Sequence, residues 1–308
     1  MNLYPLYPLK LRPVLKDIIW GGTKLASNYG KSSDPNQKIA ESWELAVHKN
    51  GVNVIENGEY AGSTLEALFK ADEFPLLVKL IDAAQNLSVQ VHPGDKYAAK
   101  HENDSGKTEM WYIIDANPGA KIVYGLNDRY TRKQLQTLID ENRFEECLNY
   151  IEVSPGEVYF IPAGLVHAIG EGILIAEIQT NSDTTYRFYD YNRPGADNKP
   201  RELHIKKALD VCIKTKTDYI NPIASPAPGH EILSICEYFY AEKLRNLSCD
   251  FDTVSMRCII CIEGEGKITH EDKIYIAKKG ETYLLPAGIG WCTVTGKATF
   301  IIVGAEPG

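Results

Sequence analysis

"PAGLVHAIGEG", residues 162–172, sets a histidine after a Pro-Ala-Gly turn and directly ahead of the strand-like "ILIAEIQT". The chain carries the phrase twice. Gly156-Glu157-Val158-Tyr159-Phe160-Ile161-Pro162-Ala163-Gly164-Leu165-Val166-His167 aligns without gaps on Gly280-Glu281-Thr282-Tyr283-Leu284-Leu285-Pro286-Ala287-Gly288-Ile289-Gly290-Trp291, an offset of 124 residues. Upstream, "YIIDANPGAKIVYG" matches "CIICIEGEGKITHE" at an offset of 146 when Lys121 is set on Lys267, and the 22 extra residues fit an insertion after Leu126. A repeat of this kind predicts one small β barrel used twice. Trp291 stands where the first copy has His167, and the looser upstream match puts Ser255 where it has Glu109. If the second barrel closes there with bulky apolar packing, the architecture does not need a histidine, and His167 is expected to serve chemistry.

Most of the remaining sequence reads as short Val, Ile, Tyr and Phe segments broken by Gly, Pro, Asn and Asp, which predicts strands. Helical patterning is confined to "STLEALFKAD" from Ser63, "TRKQLQTLIDENRFEECLN" from Thr131 and "ELHIKKALDVC" from Glu202, the first two with a capping residue in place. The segment "NPIASPAPGHE", 221–231, holds three prolines and suits a linker. The phrase G-E-x-Y-x-x-P-A-G-x-x-H after a hairpin resembles a cupin, a double-stranded jelly roll. The expected fold is therefore mainly β, two cupin jelly-roll barrels with a few short helices inserted. Residues 1–222 would form the catalytic barrel with N-terminal strands and a helical insertion near 127–150. Residues 223–308 would form a cupin-like barrel without metal ligands. Trp20, Gly21, Gly22 and the "ESWEL" stretch around Trp43 are expected to pack N-terminal strands on the first barrel.

With 41 acidic against 33 basic residues the net charge is -8, which argues against nucleic acid or an anionic membrane as the main partner. A small anionic substrate stays open where cations converge. The seven cysteines are scattered and odd in number, no apolar run is of membrane-spanning length, and no leader is evident. A reducing cytoplasm is the expected setting. Cys258 and Cys261 have a redox or zinc-knuckle spacing but lie in a strand, where positions three apart face opposite sides, so they are read as core.

In "NLSVQVHPGDKYA" Leu87, Val89 and Val91 alternate with Ser88, Gln90 and His92, so Gln90 and His92 share a strand face. In "GKTEMWYII" Glu109 opens another strand, with Lys107 two residues earlier on the same side. With His167, two imidazoles, a carboxylate and an amide oxygen make an N/O site for a divalent metal, zinc first and iron(II) next. A single buried histidine is more often a hydrogen-bonded core residue, and the missing histidine in the repeat weighs against that here.

At this point the chain resembles the type I phosphomannose isomerases of the short bacterial class. The matching phrases are "WGGTKLA" (20–26), "IAESWELA" (39–46), "VQVHPGDKYA" (89–98), "GKTEMWYI" (106–113), "YFIPAGLVHAIGEG" (159–172) and "TYRFYDYNR" (185–193). The resemblance implies one Zn²⁺ per chain on Gln90, His92, Glu109 and His167, with Arg187 catalytic. It also puts Lys107, Glu177 and Asp183 on family active-site positions. Longer members carry a lysine six residues after the arginine where this chain has Arg193, and either cation can hold phosphate. The activity implied is interconversion of mannose 6-phosphate and fructose 6-phosphate, and a homodimer is compatible with it.

The chemistry of that reaction moves a proton between C2 and C1 through a cis-enediolate, which calls for a base and an electrophile. Glu177 shares a face with Ile173, Ile175 and Gln179, pointing where the polar interior should be, either as base or as partner of Arg187 or Lys107. Arg187 lies at the barrel mouth, where a fixed cation can steady an enediolate or phosphate. Lys107 and Arg193 would complete the positive field and bind the phosphate of the substrate. Two alternatives remain: an oxygen-activating iron(II) cupin, and a non-catalytic metal-bound sugar-phosphate sensor. Lys96 and Lys100 are expected exposed in a loop, and His270, in a turn of the second barrel, is expected exposed too.

Overall fold

The computed structural model describes residues 5–70, 74–191, 193–194, 199–215 and 229–305. The chain is mainly β and divides into two compact units. One comprises Asp17–Gly22 and Ile81–Asn221, the other Met1–Lys16, Thr23–Leu80 and Pro222–Gly308. Most of the expected linker, and the expected boundary at 222, lie outside the described residues.

The first unit builds two antiparallel layers. A five-stranded sheet runs in the order Leu148–Glu152, Lys121–Leu126, His167–Ala168, Val89–Val91, Tyr186–Tyr189. In the other layer Glu109–Ala116 lies between Val158–Ile161 and Ile173–Thr180. The alternation in "VQV" is realised. Val89 and Val91 turn outward into a cluster with Val123, Phe188, Leu135, Phe144 and Leu209, so two helices, Arg132–Asp140 and Ile205–Val211, cover the sheet's outer face. Gln90 is left to the inner face. Thr131 caps the first of these helices in a reciprocal box with Gln134, as its sequence position predicts. Gly21 bridges to Ala83, and the carbonyl of Trp20 accepts from the backbone N–H of Ala84, which ties this segment to the first unit as expected.

The second unit is a sheet in the order His230–Ile235, Phe239–Arg245, Trp291–Ala305, Arg257–His270, Thr282–Leu285, Leu9–Arg12, Val54–Ile55. N-terminal strands thus complete the C-terminal barrel: Leu9 pairs with Leu284 and Leu11 with Thr282. The strand Glu41–Leu45, with Trp43, also groups with this unit and pairs with Val14–Lys16.

The repeat holds at the level of elements. Val158–Ile161 and Thr282–Leu285 are strands 124 residues apart, and Gly164 and Gly288 both hold a left-handed backbone, φ +89° and +78°. Strand register refines the upstream match. Ile161 pairs with Glu109, and its counterpart Leu285 pairs with Arg257, so Arg257 and not Ser255 takes the place of Glu109. Trp291 is 65% exposed, so the second barrel does not close on that residue. His270 is 6% exposed, because it ends a long strand opposite Cys292 and is not in a turn. Both cysteines of the "CIIC" pair are buried in the core, with thiols pushed up by burial.

Helix expectations hold in part. From Ser63 only the 3-10 turn Leu65–Ala67 forms, because the Leu65 N–H bonds to the carbonyl of Asn53 and Thr64 bridges to Val54. From Thr131 the α-helix ends at Asp140, and a 3-10 turn, Phe144–Cys147, leads into a strand. Asp95–His101 is a helix that the sequence reading took as a loop, with Asp95 in its first turn and Lys100 and His101 in its last. Lys96 and Lys100 are exposed on it, as expected.

Candidate metal centre

The inner faces of the first unit are written by strand register. Cross-strand partners share a face, and His167 lies opposite Gln90, which lies opposite Arg187. On the other layer Glu109 is opposite Gln179 and, two residues along, Trp111 is opposite Glu177. His92 follows Gln90 at the same parity. The sequence reading of Gln90, His92, Glu109, His167 and Glu177 as inward-facing agrees with these positions.

The side chains converge. Nε2 of His92 lies 3.5 Å from Glu109 Oε2, and Nε2 of His167 lies 3.4 Å from Glu109 Oε1. The two imidazole centroids are 4.7 Å apart. Gln90 Nε2 is 3.3 Å from His167 Nε2, and Lys107 Nζ is 3.0 Å from Glu109 Oε2. All of these residues are buried except Gln90, which is half-buried. Among the described residues, His92, Glu109 and His167 form the one cluster of three or more His, Cys, Asp or Glu ligand atoms close enough to hold a metal ion.

The tautomers follow from the neighbours. Nδ1 of His92 is 2.9 Å from the carbonyl oxygen of Thr184, and Nδ1 of His167 is 2.8 Å from that of Leu165. A carbonyl only accepts, so each Nδ1 donates. Burial lowers the pKa of His167 to about 4, its bond to Leu165 notwithstanding, so the ring is neutral near pH 7 and its Nε2 presents a lone pair. The spacings to Glu109 exceed N–H···O hydrogen-bond lengths. Nitrogen lone pairs facing a carboxylate across such gaps call for a cation between them, and imidazoles anchored through the far nitrogen on carbonyls are the usual support of a metal-binding histidine. The donor set fits a divalent ion.

Around this nest the structure adds residues that the sequence reading passed over. Trp111 packs edge-on against His167, with centroids 5.5 Å apart, and its indole N–H donates to Glu177 Oε1 at 3.2 Å. Its position two residues after Glu109 was the available signal. Asp104 accepts from the hydroxyls of Thr184 (2.8 Å) and Ser182 (3.2 Å), steadying the carbonyl that anchors His92. His204 accepts the backbone N–H of Arg187 at Nδ1 (3.3 Å), and its own N–H donates to the Arg187 carbonyl (2.9 Å). Arg193 is half-buried and paired with Asp190, 2.6 Å away. Asp183 is half-buried and its carbonyl accepts from the hydroxyl of Thr185.

The family described as "Phosphomannose isomerase type I, catalytic domain" matches residues 8–128, and "Mannose-6-phosphate isomerase, cupin domain" matches residues 231–304. The chain is 42% identical to mannose-6-phosphate isomerase ManA of Bacillus subtilis over 96% of its length and 98% of that protein's. It is 36% identical to mannose-6-phosphate isomerase of Streptococcus mutans, over 91% and 92%. The crystal structure of the mannose 6-phosphate isomerase from Bacillus subtilis superposes with a TM-score of 0.90 at 37% identity, covering 97% of this chain and 99% of that one. Similarity sustained over both barrels, at this identity and with this backbone agreement, makes the chain a member of the type I phosphomannose isomerase family.

Proposed function

We propose that the protein is a mannose-6-phosphate isomerase that uses one zinc ion per chain, held by His92, Glu109, His167 and Gln90. The convergence of two imidazole Nε2 atoms on the Glu109 carboxylate carries this proposal. A half-turn of the Gln90 carboxamide presents its oxygen in place of its nitrogen. The nitrogen and oxygen donors suit zinc, which when bound supplies a Lewis acid for the charge that develops on the sugar oxygens.

The chain's own residues supply the rest. Glu177, fixed by the Trp111 indole on the face it shares with Glu109, carries the proton between C2 and C1. Lys107, itself buried, neutralises part of the Glu109 charge. Arg187, one strand beyond Gln90, steadies the enediolate or the phosphate, and Arg193 lies at the phosphate end. Asp183 completes the acidic side of the mouth. The candidate ligands His92, Glu109 and His167 all come from one chain, and a homodimer is compatible with this arrangement.

The oxygen-activating and sensor alternatives are not favoured by relatives named as isomerases over nearly the whole chain. Among the described residues no helix is long and apolar enough to cross a membrane. The buried thiols Cys147, Cys212, Cys258, Cys261 and Cys292 support a reducing, cytoplasmic setting. Elemental analysis run beside a coupled assay of mannose 6-phosphate turnover tests the proposal. It expects about one zinc per chain, activity removed by chelation and activity restored by zinc. Full turnover in metal-free protein would refute it.

A further inference from the structure

Past the metal centre the strand Tyr186–Tyr189 leads to Asp190, a carboxylate only 4% exposed. Arg201 grips it with two bonds, Nε to Oδ2 at 2.6 Å and Nη2 to Oδ1 at 2.7 Å. Arg193 adds a third, Nη2 to Oδ1 at 2.6 Å, and lies over the ring of Tyr191, 5.2 Å from its centroid. Burial pushes Asp190 up, yet the bonds from Arg201 and Arg193 hold it below the usual carboxylate value, so it is a fixed anion.

The cluster is unbalanced in two respects. Arg187, Arg193 and Arg201 against Asp190 leave a net charge of about +2, close to the charge of a phosphate monoester with opposite sign. Two further carboxylates lie near it, and both are screened by solvent: Glu202, 83% exposed at the rim, and Glu145, exposed beside Tyr191. Second, the Nε–H groups of Arg187 and Arg193 are buried without a hydrogen-bond partner among the described residues. Buried guanidinium donors left open call for an oxyanion with several acceptor oxygens. Arg187 stands two strand spacings from His167 with Gln90 between them, ~10 Å between Cα atoms, a span that an open-chain hexose phosphate can bridge.

We propose that Arg187, Arg193 and Arg201, braced by Asp190, form the subsite for the phosphate group of the substrate, with Arg201 a binding residue and Asp190 a positioning residue. This rests on the isomerase reading above and adds two residues to it. Lys107, held on Glu109, then serves the metal end and not the phosphate end.

The test compares wild type with Arg201→Gln, Arg201→Lys and Asp190→Asn in mannose 6-phosphate turnover, with inorganic phosphate as competitive inhibitor and zinc content measured throughout. Arg201→Gln is expected to raise KM about tenfold or more, with the larger part of the loss on KM, and to raise the phosphate inhibition constant in proportion. Arg201→Lys should recover only part of this, since an ammonium lacks the planar fork. Asp190→Asn should move both constants the same way with zinc retained. KM and phosphate inhibition equal to wild type in folded Arg201→Gln and Arg201→Lys would overturn the subsite while leaving the isomerase intact. Absence of turnover in the wild type would count against the isomerase itself, and calorimetric phosphate binding by the same variants would still decide the subsite.

Discussion

Glu109 sits between two imidazole nitrogens and a lysine ammonium, all at 3.0–3.5 Å, and the proposed function separates the residues around it into those that would hold the ion and those that would act on the sugar. Arg187 belongs to the second group: its backbone is pinned by His204, and its side chain touches none of the metal donors among the described contacts. Arg187→Ala should therefore keep its zinc and lose turnover, and undiminished turnover would refute the role. Glu177→Gln preserves an acceptor for the Trp111 indole but removes the proton carrier. It is expected to lower kcat by about 10²- to 10⁴-fold at unchanged zinc content, with solvent deuterium no longer entering C2 of the sugar. Wild-type deuterium exchange in that variant would assign Glu177 to structure alone. The ligand residues were legible in sequence because strand alternation fixes which side chains share a face. Trp111 was not, since an aromatic residue in a strand reads as core until its indole is seen on a carboxylate.

At the scale of elements, the segments between strands set the precision of the site. The Asp104 carboxylate ties down the turn ahead of the Tyr186–Tyr189 strand through Ser182 and Thr184, and Thr184 in turn orients His92. Asp104→Ala should weaken zinc affinity by about 10- to 100-fold, measured by competition with a chelator; unchanged affinity would show that the carbonyl needs no such support. The stretch after Tyr189 depends on Asp190. A carboxylate whose pKa is depressed in the folded state adds stability that is fully present above its usual value of 3.8 and is lost as pH falls through the depressed one. Asp190→Asn is accordingly expected to unfold about 2–3 kcal/mol more easily at neutral pH. The gap from wild type should shrink as the medium is acidified below 3.8, followed by thermal denaturation. A gap constant with pH would contradict the ion-pair account. This clamp could not be read from sequence, because Asp190 and Arg201 are eleven positions apart with no periodic element joining them. The helix expected from Ser63 failed for a related reason, its backbone groups being engaged by a neighbouring segment distant in sequence.

For the whole molecule, the repeated phrase announced two barrels, and the strands and left-handed glycines recur at its spacing. What the repeat could not show is which residues complete each barrel, since edge pairing joins Leu9–Arg12 to Thr282–Leu285 across most of the chain. Within that second unit Lys31 and Glu44 form an ion pair at 2.7 Å with 3% and 0% of their side chains exposed, and Glu44 also accepts from Ser42 and Thr282. Lys31→Met would leave that carboxylate buried without its cation and should cost about 3–5 kcal/mol of stability in denaturant unfolding; a loss below ~1 kcal/mol would mean the pair is dispensable. The buried pair Lys31–Glu44 thus holds fold, while the buried charges around Glu109 are proposed to hold a metal. A crystal of the purified protein, measured on both sides of the zinc absorption edge, tests that division most directly. A single anomalous peak about 2.0–2.2 Å from Nε2 of His92, Nε2 of His167 and a Glu109 oxygen is predicted. No peak there in protein that turns over mannose 6-phosphate, or a peak bound only by other residues, would contradict it.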